Sequence, residues 1–191
     1  MVKYVKFIST ILASASLLTG CGGSTTSDTT TYTPPSGTTP PPTSKFTRDN
    51  TKEVVIDSTL NLVWQDDEAS KTVKKQWLTD EKFTDCADNY IKESCLNTVG
   101  DTASTYCSQL VLGEYTNWRL PTVKEILSIM AQDEYPAINP AFVNAVPEIY
   151  WTSESDSPKS FYGMAGNFDF PVSGTSYKNN SLNVRCVKSL K

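Results

Sequence analysis

The sequence contains no histidine, and this absence excludes several kinds of chemistry. Histidine is the usual general base near neutral pH and a common zinc ligand. Without it, the chain has neither a Ser-His-Asp nor a Cys-His catalytic arrangement. No two cysteines have C-x-x-C spacing, which weighs against a zinc site and a thioredoxin-like motif. We therefore predict no metal, no cofactor and no enzymatic activity.

Long apolar runs are also missing from the chain. The nearest approach is "FISTILASASLL" at residues 7–18, which is too short to span a bilayer comfortably. It follows Lys3 and Lys6, so residues 1–20 are predicted to be a signal peptide. The segment ends in Leu-Thr-Gly-Cys, which resembles the lipobox of bacterial lipoproteins, with Cys21 as the lipidated residue. The alternative is a plain secretory signal that contains a cysteine.

Apolar residues are nearly absent from the next segment, "GGSTTSDTTTYTPPSGTTPPPTSK", residues 22–45. Such a composition cannot bury a core, so residues 21–45 are predicted to be a disordered tether that begins at the lipidated cysteine. Gly22 stands where an aspartate favours retention in the inner membrane, and this favours the outer membrane. We expect an envelope protein held at a bacterial membrane by its lipid.

Basic residues are too few for a nucleic-acid binder. Without Lys3, Lys6, Lys45 and Asp28, residues 46–191 hold 14 basic and 20 acidic residues, a net charge of −6. A domain that binds nucleic acid usually presents a basic face to the phosphates. We therefore predict no nucleic-acid partner.

Residues 46–191 contain four cysteines: Cys86, Cys95, Cys107 and Cys186. An even number in an exported chain indicates disulfides, because the environment outside the cytoplasm is oxidising. Of the three connectivities, we favour Cys86–Cys95 with Cys107–Cys186. Residues nine apart on an unbroken helix lie roughly 13.5 Å apart, whereas bridged Cα atoms lie within about 7 Å. A helix that carries Cys86 must therefore end and turn before Cys95.

The first half of the domain contains patterns typical of two strands and two helices. Strands are predicted at Val54–Asp57 and Leu62–Gln65 around a short turn. A helix capped by Thr79 or Asp80 is predicted from apolar residues at helical spacing: Phe83, Ala87, Tyr90 and Ile91. A second helix over residues 102–110 is expected to be capped by Asp101. The acidic run at residues 66–68 is interpreted as a hydrated turn.

The stretch "NWRLPTVKEIL", residues 117–127, predicts a junction between an extended segment and a helix. Trp118 is large enough to anchor a core, and Arg119 is expected to form a buried pair with a carboxylate or carbonyls. Thr122 and Glu125 have the spacing of a capping box. An apolar helical stripe follows at Val123, Ile126, Leu127 and Met130. We interpret this stretch as structural rather than as a ligand contact.

The second half of the domain is expected to be rich in strands and loops. Strands are predicted over residues 149–153, 160–170 and 182–187. The intervening "PVSGTSYKNNS", residues 171–181, is predicted to be a long exposed hairpin loop.

These segments, in this order, resemble the Lcl C-terminal domain family, which takes its name from collagen-like bacterial surface adhesins. The matching residues are "DSTLNLVWQD", "YCSQLVLGEYTNWRLPTVKEIL", "INPAF", "YWTSES" and "NVRCV", spread over residues 56–188. Residues 71–98 look like an insertion relative to the family pattern. A Thr/Pro-rich stalk stands in place of the collagen-like repeat.

The resemblance implies an α+β, C-type-lectin-like domain of two or three helices packed on small, irregular antiparallel sheets with long loops. In such a domain Cys107, on a helix, and Cys186, on the last strand, can meet, which supports the second disulfide. Adhesins of the family are implicated in binding sulfated polysaccharides. A net charge of −6 is a poor match for a polyanion, so the resemblance implies surface binding without naming the ligand.

The sequence therefore favours a tethered, non-catalytic domain that binds a glycan or a surface partner. Exposed loops of the β-rich half supply aromatic rings that stack on sugars and amides that bond sugar hydroxyls. The candidates are Tyr150, Trp151, Tyr162, Asn167, Asp169, Tyr177, Asn179 and Asn180. For Tyr150, Trp151 and Tyr162 the competing interpretation is a place in the core.

Two other functions are weighed against binding. One is an envelope structural or assembly protein that binds another protein. The other is an enzyme of the sulfatase-modifying-factor kind, whose chemistry needs a reactive cysteine. All four domain cysteines are assigned to disulfides here, so the enzyme is the weakest of the three.

Overall fold

Two sheets form the framework of residues 45–190, the part of the chain that this computed structural model describes. The first has the order β1-β2-β3-β9: β1 (Phe46–Asp49), β2 (Val54–Asp57), β3 (Leu62–Gln65) and β9 (Val187–Ser189). The second has the order β4-β8-β5-β6-β7: β4 (Lys74–Lys75), β8 (Leu182–Asn183), β5 (Ile149–Ser155), β6 (Tyr162–Asn167) and β7 (Val172–Tyr177). Only β5 and β8 pair in parallel among these strands. The signal-peptide, lipidation and tether predictions for residues 1–44 lie outside the described residues.

Five short helices lie between β3 and β5 in the described chain: α1 (Ala69–Thr72), α2 (Asp80–Asn89), α3 (Lys92–Cys95), α4 (Ala103–Gln109) and α5 (Val123–Ser128). Short helices beside two small sheets confirm the predicted α+β class. The structure has five helices in these residues, where two or three were expected, and the additional α1 and α3 have only four residues each. The likeness to C-type lectins stays a prediction.

The β2–β3 hairpin forms at the predicted residues because its turn is closed locally. The carboxylate of Asp57 accepts the amides of Thr59 and Leu60 at 2.9 and 3.0 Å. Asn61 ends the turn with a φ of 52°, a left-handed conformation that asparagine tolerates better than most residues. Both predicted strands are confirmed.

Helix α2 ends where the first disulfide requires it to end. The hydroxyl of Thr79 caps the helix by accepting the amide of Lys82. Tyr90 has a φ of 50°, and this left-handed residue stops the helix and turns the chain back. The Cα atoms of Cys86 and Cys95 consequently lie 4.5 Å apart, and the predicted disulfide between them is present.

Helix α4 carries the second disulfide but begins one residue later than predicted. Its cap is Thr102, whose hydroxyl accepts the amide of Thr105 at 3.2 Å. Asp101 was the wrong choice of cap, because its carboxylate accepts Lys75 Nζ at 2.6 Å instead. Cys107 joins Cys186 with a Cα separation of 5.5 Å, so the favoured connectivity is confirmed.

The predicted apolar stripe on α5 is correct for only part of its length. Ile126 is completely buried, but Leu127 is exposed to solvent. The helix has only six residues and ends at Ser128, and the next residue, Ile129, is buried where the prediction placed Leu127. The prediction assumed a longer regular helix than the chain forms.

The region after residue 170 departs most from the sequence predictions. The supposed exposed loop contains β7, which pairs with β6 from Tyr162↔Tyr177 to Asn167↔Val172. The predicted strand over residues 182–187 is two strands, β8 and β9, which belong to different sheets. Residues 184–186 carry the chain from one sheet to the other, so Cys186 precedes the last strand rather than lying on it.

Two buried clusters form the core. One contains Trp77, Trp118 and Trp151 together with both disulfides. The other contains Trp64, Phe142 and Tyr150, and it extends to the buried face of α5.

A buried ion pair stands at the crossover between the sheets. Arg185 is completely buried and donates to Asp66 Oδ1 at 2.9 Å, to the carbonyl of Gln65 at 2.6 Å and to the carbonyl of Asn144. Asp66 also pairs with Arg48 and accepts two amides of the 143–144 loop. The prediction of a hydrated acidic turn is therefore wrong for Asp66, because an arginine 119 residues away supplies its partner.

Candidate functional site

The Trp-Arg-Leu-Pro-Thr segment forms a structural joint at the start of α5. Trp118 is buried, and its Nε1 donates to the carbonyl of Tyr115 at 3.1 Å. Arg119 holds both carboxylate oxygens of Glu125, at 2.7 and 2.8 Å. Glu125 also accepts the amide of Thr122, whose hydroxyl accepts the amide of Glu125 in return. The capping box expected from the T-x-x-E spacing is thus formed.

Arg119 pairs with a carboxylate as predicted. The prediction that this arginine is buried is wrong, since its side chain is 42% exposed. Burial alone would raise the pKa of Glu125, but the hydrogen bonds from Arg119 and the Thr122 amide lower this pKa below its ordinary value. Glu125 therefore stays ionised at neutral pH and balances the charge of Arg119.

Two of the eight candidate ligand residues belong to the core. Tyr150 and Trp151 are completely buried. The ring of Tyr150 packs on Phe168 with centroids 4.6 Å apart, and Trp151 Nε1 donates to the carbonyl of Lys75 at 2.9 Å. Neither side chain can touch a ligand, so the competing interpretation applies to both.

Asn167 and Asp169 lie at the far end of the β6–β7 hairpin from the remaining candidates. In this hairpin Asn167 pairs with Val172, whereas Tyr162 pairs with Tyr177 at the opposite end. The side chain of Asn167 accepts the amide of Asp169 at 2.8 Å and so stabilises the turn. The structure does not bring these two residues to the same site as Tyr162 and Tyr177.

Tyr162 and Tyr177 belong to a partly exposed group of rings that we call the aromatic surface: Phe83, Tyr90, Phe161, Tyr162 and Tyr177. The rings of Tyr162 and Tyr177 stack with centroids 4.5 Å apart. Phe83 contacts Tyr177 at 6.3 Å and Phe161 at 5.8 Å, and Phe161 contacts Tyr90 at 5.6 Å. Tyr90 and Tyr177 are 56% and 48% exposed, so solvent reaches this surface at two rings.

Amides border the aromatic surface beyond the end of β7. Asn180 donates to the hydroxyl of Ser176 at 2.9 Å, and Asn179 donates to Asp80 at 3.4 Å. Gln76 donates to the same carboxylate oxygen of Asp80 at 2.9 Å and to the Asn179 carbonyl. The predicted residues Tyr162, Tyr177, Asn179 and Asn180 therefore lie in one region, together with three aromatic residues that the sequence analysis did not select.

Lys178 lies between these candidates in sequence, but its side chain points inward and is completely buried. Its Nζ donates to the carbonyl of Cys95 at 2.7 Å and lies 4.5 Å from the centre of the Trp77 ring. Burial lowers the pKa of Lys178 to about 8, and the nearby charge of Asp156 opposes this only in part.

The lowered pKa of Lys178 predicts a pH-dependent stability. Between pH of about 8 and 10.5 the unfolded chain binds a proton at this lysine that the folded chain has lost. The free energy of unfolding should therefore rise over this range, by about 1–3 kcal/mol relative to Lys178→Met. Urea unfolding at several pH values measures the difference, with the exposed Lys159→Met as the control. Parallel pH curves for wild type and Lys178→Met would contradict the assignment.

A pocket of about 300 Å³ lies beside Arg119, and none of its lining residues is among the candidate ligand residues that the sequence predicts. Trp77, Leu96 and Leu120 supply apolar walls, and Thr98, Ser104 and Ser153 supply hydroxyls. These side chains come from segments spread over 77 positions of the chain. Arg119 and Leu120 belong to the Trp-Arg-Leu-Pro-Thr motif and Ser153 to "YWTSES", but neither motif indicates that these residues line one pocket.

The model of the Lcl C-terminal domain matches residues 53–188. The chain therefore belongs to the Lcl C-terminal domain family, and the resemblance noted in the sequence is confirmed. No curated protein matches the chain. No solved structure matches it either. Between residues 45 and 190, no helix is long and apolar enough to cross a membrane.

Proposed function

We propose that this protein is a lipid-anchored protein of the bacterial envelope, whose domain binds a glycan without catalysing a reaction. The observation that carries the proposal is the aromatic surface, on which Tyr90 and Tyr177 are about half exposed beside the amides of Asn179 and Asn180. A sugar ring presents C–H groups on its faces and hydroxyls around its edge. Aromatic faces and amide groups match these two kinds of surface.

The covalent and packed surroundings of the aromatic surface support a binding role. Tyr90 ends α2, and Cys86 within that helix is tied by its disulfide to Cys95. Tyr162 and Tyr177 face each other across a regular antiparallel pair of strands. Rings that are held in place before binding lose little conformational entropy when a ligand arrives.

The charge of the domain favours a neutral glycan over a sulfated one. Residues 46–191 carry a net charge of −6, and a sulfated chain would be repelled at long range. Raising the salt concentration should therefore change the affinity for the glycan very little, whereas binding of a polyanion weakens steeply with salt.

Truncation of Tyr177 should weaken glycan binding. We expect Tyr177→Ala to bind at least about tenfold more weakly than wild type, since about 1.4 kcal/mol of stacking and apolar burial is lost. A glycan array of the oxidised domain, residues 46–191, identifies the ligand, and calorimetry then gives the affinities. Phe170→Ala is the matched control, because this exposed ring lies at the other end of the same hairpin. Equal losses of glycan affinity in Tyr177→Ala and Phe170→Ala would show that the aromatic surface is not the binding site.

A protein partner is the second candidate function, and strand β7 is the observation that favours it. β7 ends its sheet, and five of its six residues are exposed. Within the described residues, one row of its backbone N–H and C=O groups has no neighbouring strand, and such an edge can accept a strand of another chain. An array on which wild type binds neither neutral nor sulfated glycans would favour this function over the first.

The lipid anchor rests on the Leu-Thr-Gly-Cys motif at residues 18–21. Cys21→Ser removes the thiol that would carry the lipid, so the variant should incorporate no labelled palmitate and should leave the membrane fraction. Wild type, labelled in parallel, is the control. A variant that remains in the membrane fraction would refute the anchor while leaving the proposed ligand untouched.

A further inference from the structure

The pocket beside Arg119 has the chemistry of a small binding site. Trp77, Leu96 and Leu120 give it apolar walls, and its volume of about 300 Å³ is at the small end of ligand pockets. Thr98, Ser104 and Ser153, each of which carries a hydroxyl, line the same space. The structure shows no hydrogen bond from these three hydroxyls to any other residue between 45 and 190, so they are available to a ligand.

Arg119 contributes a second kind of polar group to this pocket. Its two terminal nitrogens hold Glu125, and Nη1 also donates to the carbonyl of Leu120 at 3.1 Å. A guanidinium has five N–H donors. The pair formed by Nε–H and the second Nη2–H has no acceptor among the described residues. This pair is arranged side by side and can donate to two neighbouring oxygen atoms at once.

We propose that this pocket binds one neutral pyranose ring, separately from the aromatic surface. The apolar walls cover a face of the ring, the two free N–H groups of Arg119 donate to adjacent ring hydroxyls, and the three side-chain hydroxyls bond the rest. The ligand is uncharged because Glu125 already balances Arg119, which leaves no charge to compensate a carboxylate or sulfate. The choice of a sugar rests on the proposed glycan-binding function.

The test is an NMR titration of the ¹⁵N-labelled, oxidised protein with neutral methyl glycosides of hexoses and N-acetylhexosamines. At least one glycoside should shift the indole signal of Trp77 and the amide signal of Ser104 at millimolar concentration. Ser104→Phe fills the pocket and should weaken this binding at least about tenfold. Ser108→Phe is the matched control, because it places the same side chain one turn further along α4 at an exposed position.

Ser153→Leu is a second pocket variant, which keeps the test decisive if Ser104→Phe folds poorly. Its position on β5 is exposed, so the substitution should leave the melting temperature nearly unchanged while it weakens the glycoside. Methyl glucuronide, the charged counterpart, should bind at least about tenfold more weakly than its neutral relative.

Three outcomes would overturn the pocket proposal: no shift at Trp77 or Ser104 with any neutral glycoside, full binding by both folded pocket variants, or preference for the glucuronide. Tyr177→Ala separates this proposal from the glycan surface, because it should leave the titration at Trp77 unchanged. If binding on the array depends on Tyr177 and no glycoside shifts the signals of Trp77 or Ser104, the pocket proposal alone is refuted. If a glycoside shifts the signals of Trp77 or Ser104 but no glycan binds on the array, the proposed role of the aromatic surface alone is refuted.

Discussion

Arg185→Met should lower the free energy of unfolding by about 3–5 kcal/mol, the range for a buried pair that has lost one partner. The substitution leaves Asp66 buried and deprives the carbonyls of Gln65 and Asn144 of their donor. Arg48 compensates Asp66 only in part, because it approaches from one side of the carboxylate. Urea unfolding of the oxidised protein measures the loss.

Two further variants separate the ion pair from other effects of this change. Lys188→Met removes a partly exposed cation three residues away and should cost no more than about 0.5 kcal/mol. The double change Asp66→Asn with Arg185→Met should lower the free energy of unfolding by less than the sum of the two single changes. Each single change leaves the other partner buried without this ion pair. A loss below about 1 kcal/mol for Arg185→Met would show that the buried pair contributes little.

Removal of the Cys107–Cys186 disulfide should cost about 4.5 kcal/mol, because it closes a loop of 79 residues. The Cys86–Cys95 disulfide closes a loop of only nine residues, and its removal should cost about 2.5 kcal/mol. The double variants Cys107→Ala/Cys186→Ala and Cys86→Ala/Cys95→Ala are compared by urea unfolding. Each serves as the control for the other, since all four cysteines are completely buried in the same cluster.

If loop entropy dominates, the loss for Cys107/Cys186 exceeds the loss for Cys86/Cys95, because the first pair closes the longer loop. A larger loss for Cys86/Cys95 would show that the short loop, which carries Tyr90, holds the fold more strongly than entropy alone allows. Losses that differ by the predicted margin would place the main effect of the long bridge in the unfolded chain.

Local interactions explain which parts of the fold the sequence predicts well. The turn between β2 and β3 is closed by Asp57 within three residues, and the cap of α5 joins Thr122 to Glu125. Each is a contact between near neighbours in the chain, so it can be predicted from residue types and spacing alone. The covalent geometry of a Cys86–Cys95 disulfide likewise predicts that α2 ends before Cys95.

Long-range contacts explain what the sequence conceals. β7 has no alternation of buried and exposed residues, because it is an exposed edge strand whose conformation is set by pairing with β6. The sequence predicts a hydrated turn at Asp66, whereas in the fold Arg185 forms a buried ion pair with it. The pocket beside Arg119 draws single residues from several distant segments, and no spacing rule relates Ser104 to Ser153.

The switch of the chain between sheets at residues 184–186 also sets the timing of assembly during synthesis. β8 lies between β4 and β5, and β9 pairs with β3, so each of these strands joins partners that the ribosome made earlier. The second sheet cannot be complete before residue 183 has emerged, the long disulfide cannot form before residue 186, and the first sheet cannot be complete before residue 189. The growing chain therefore remains without its finished core until translation of the domain is nearly over.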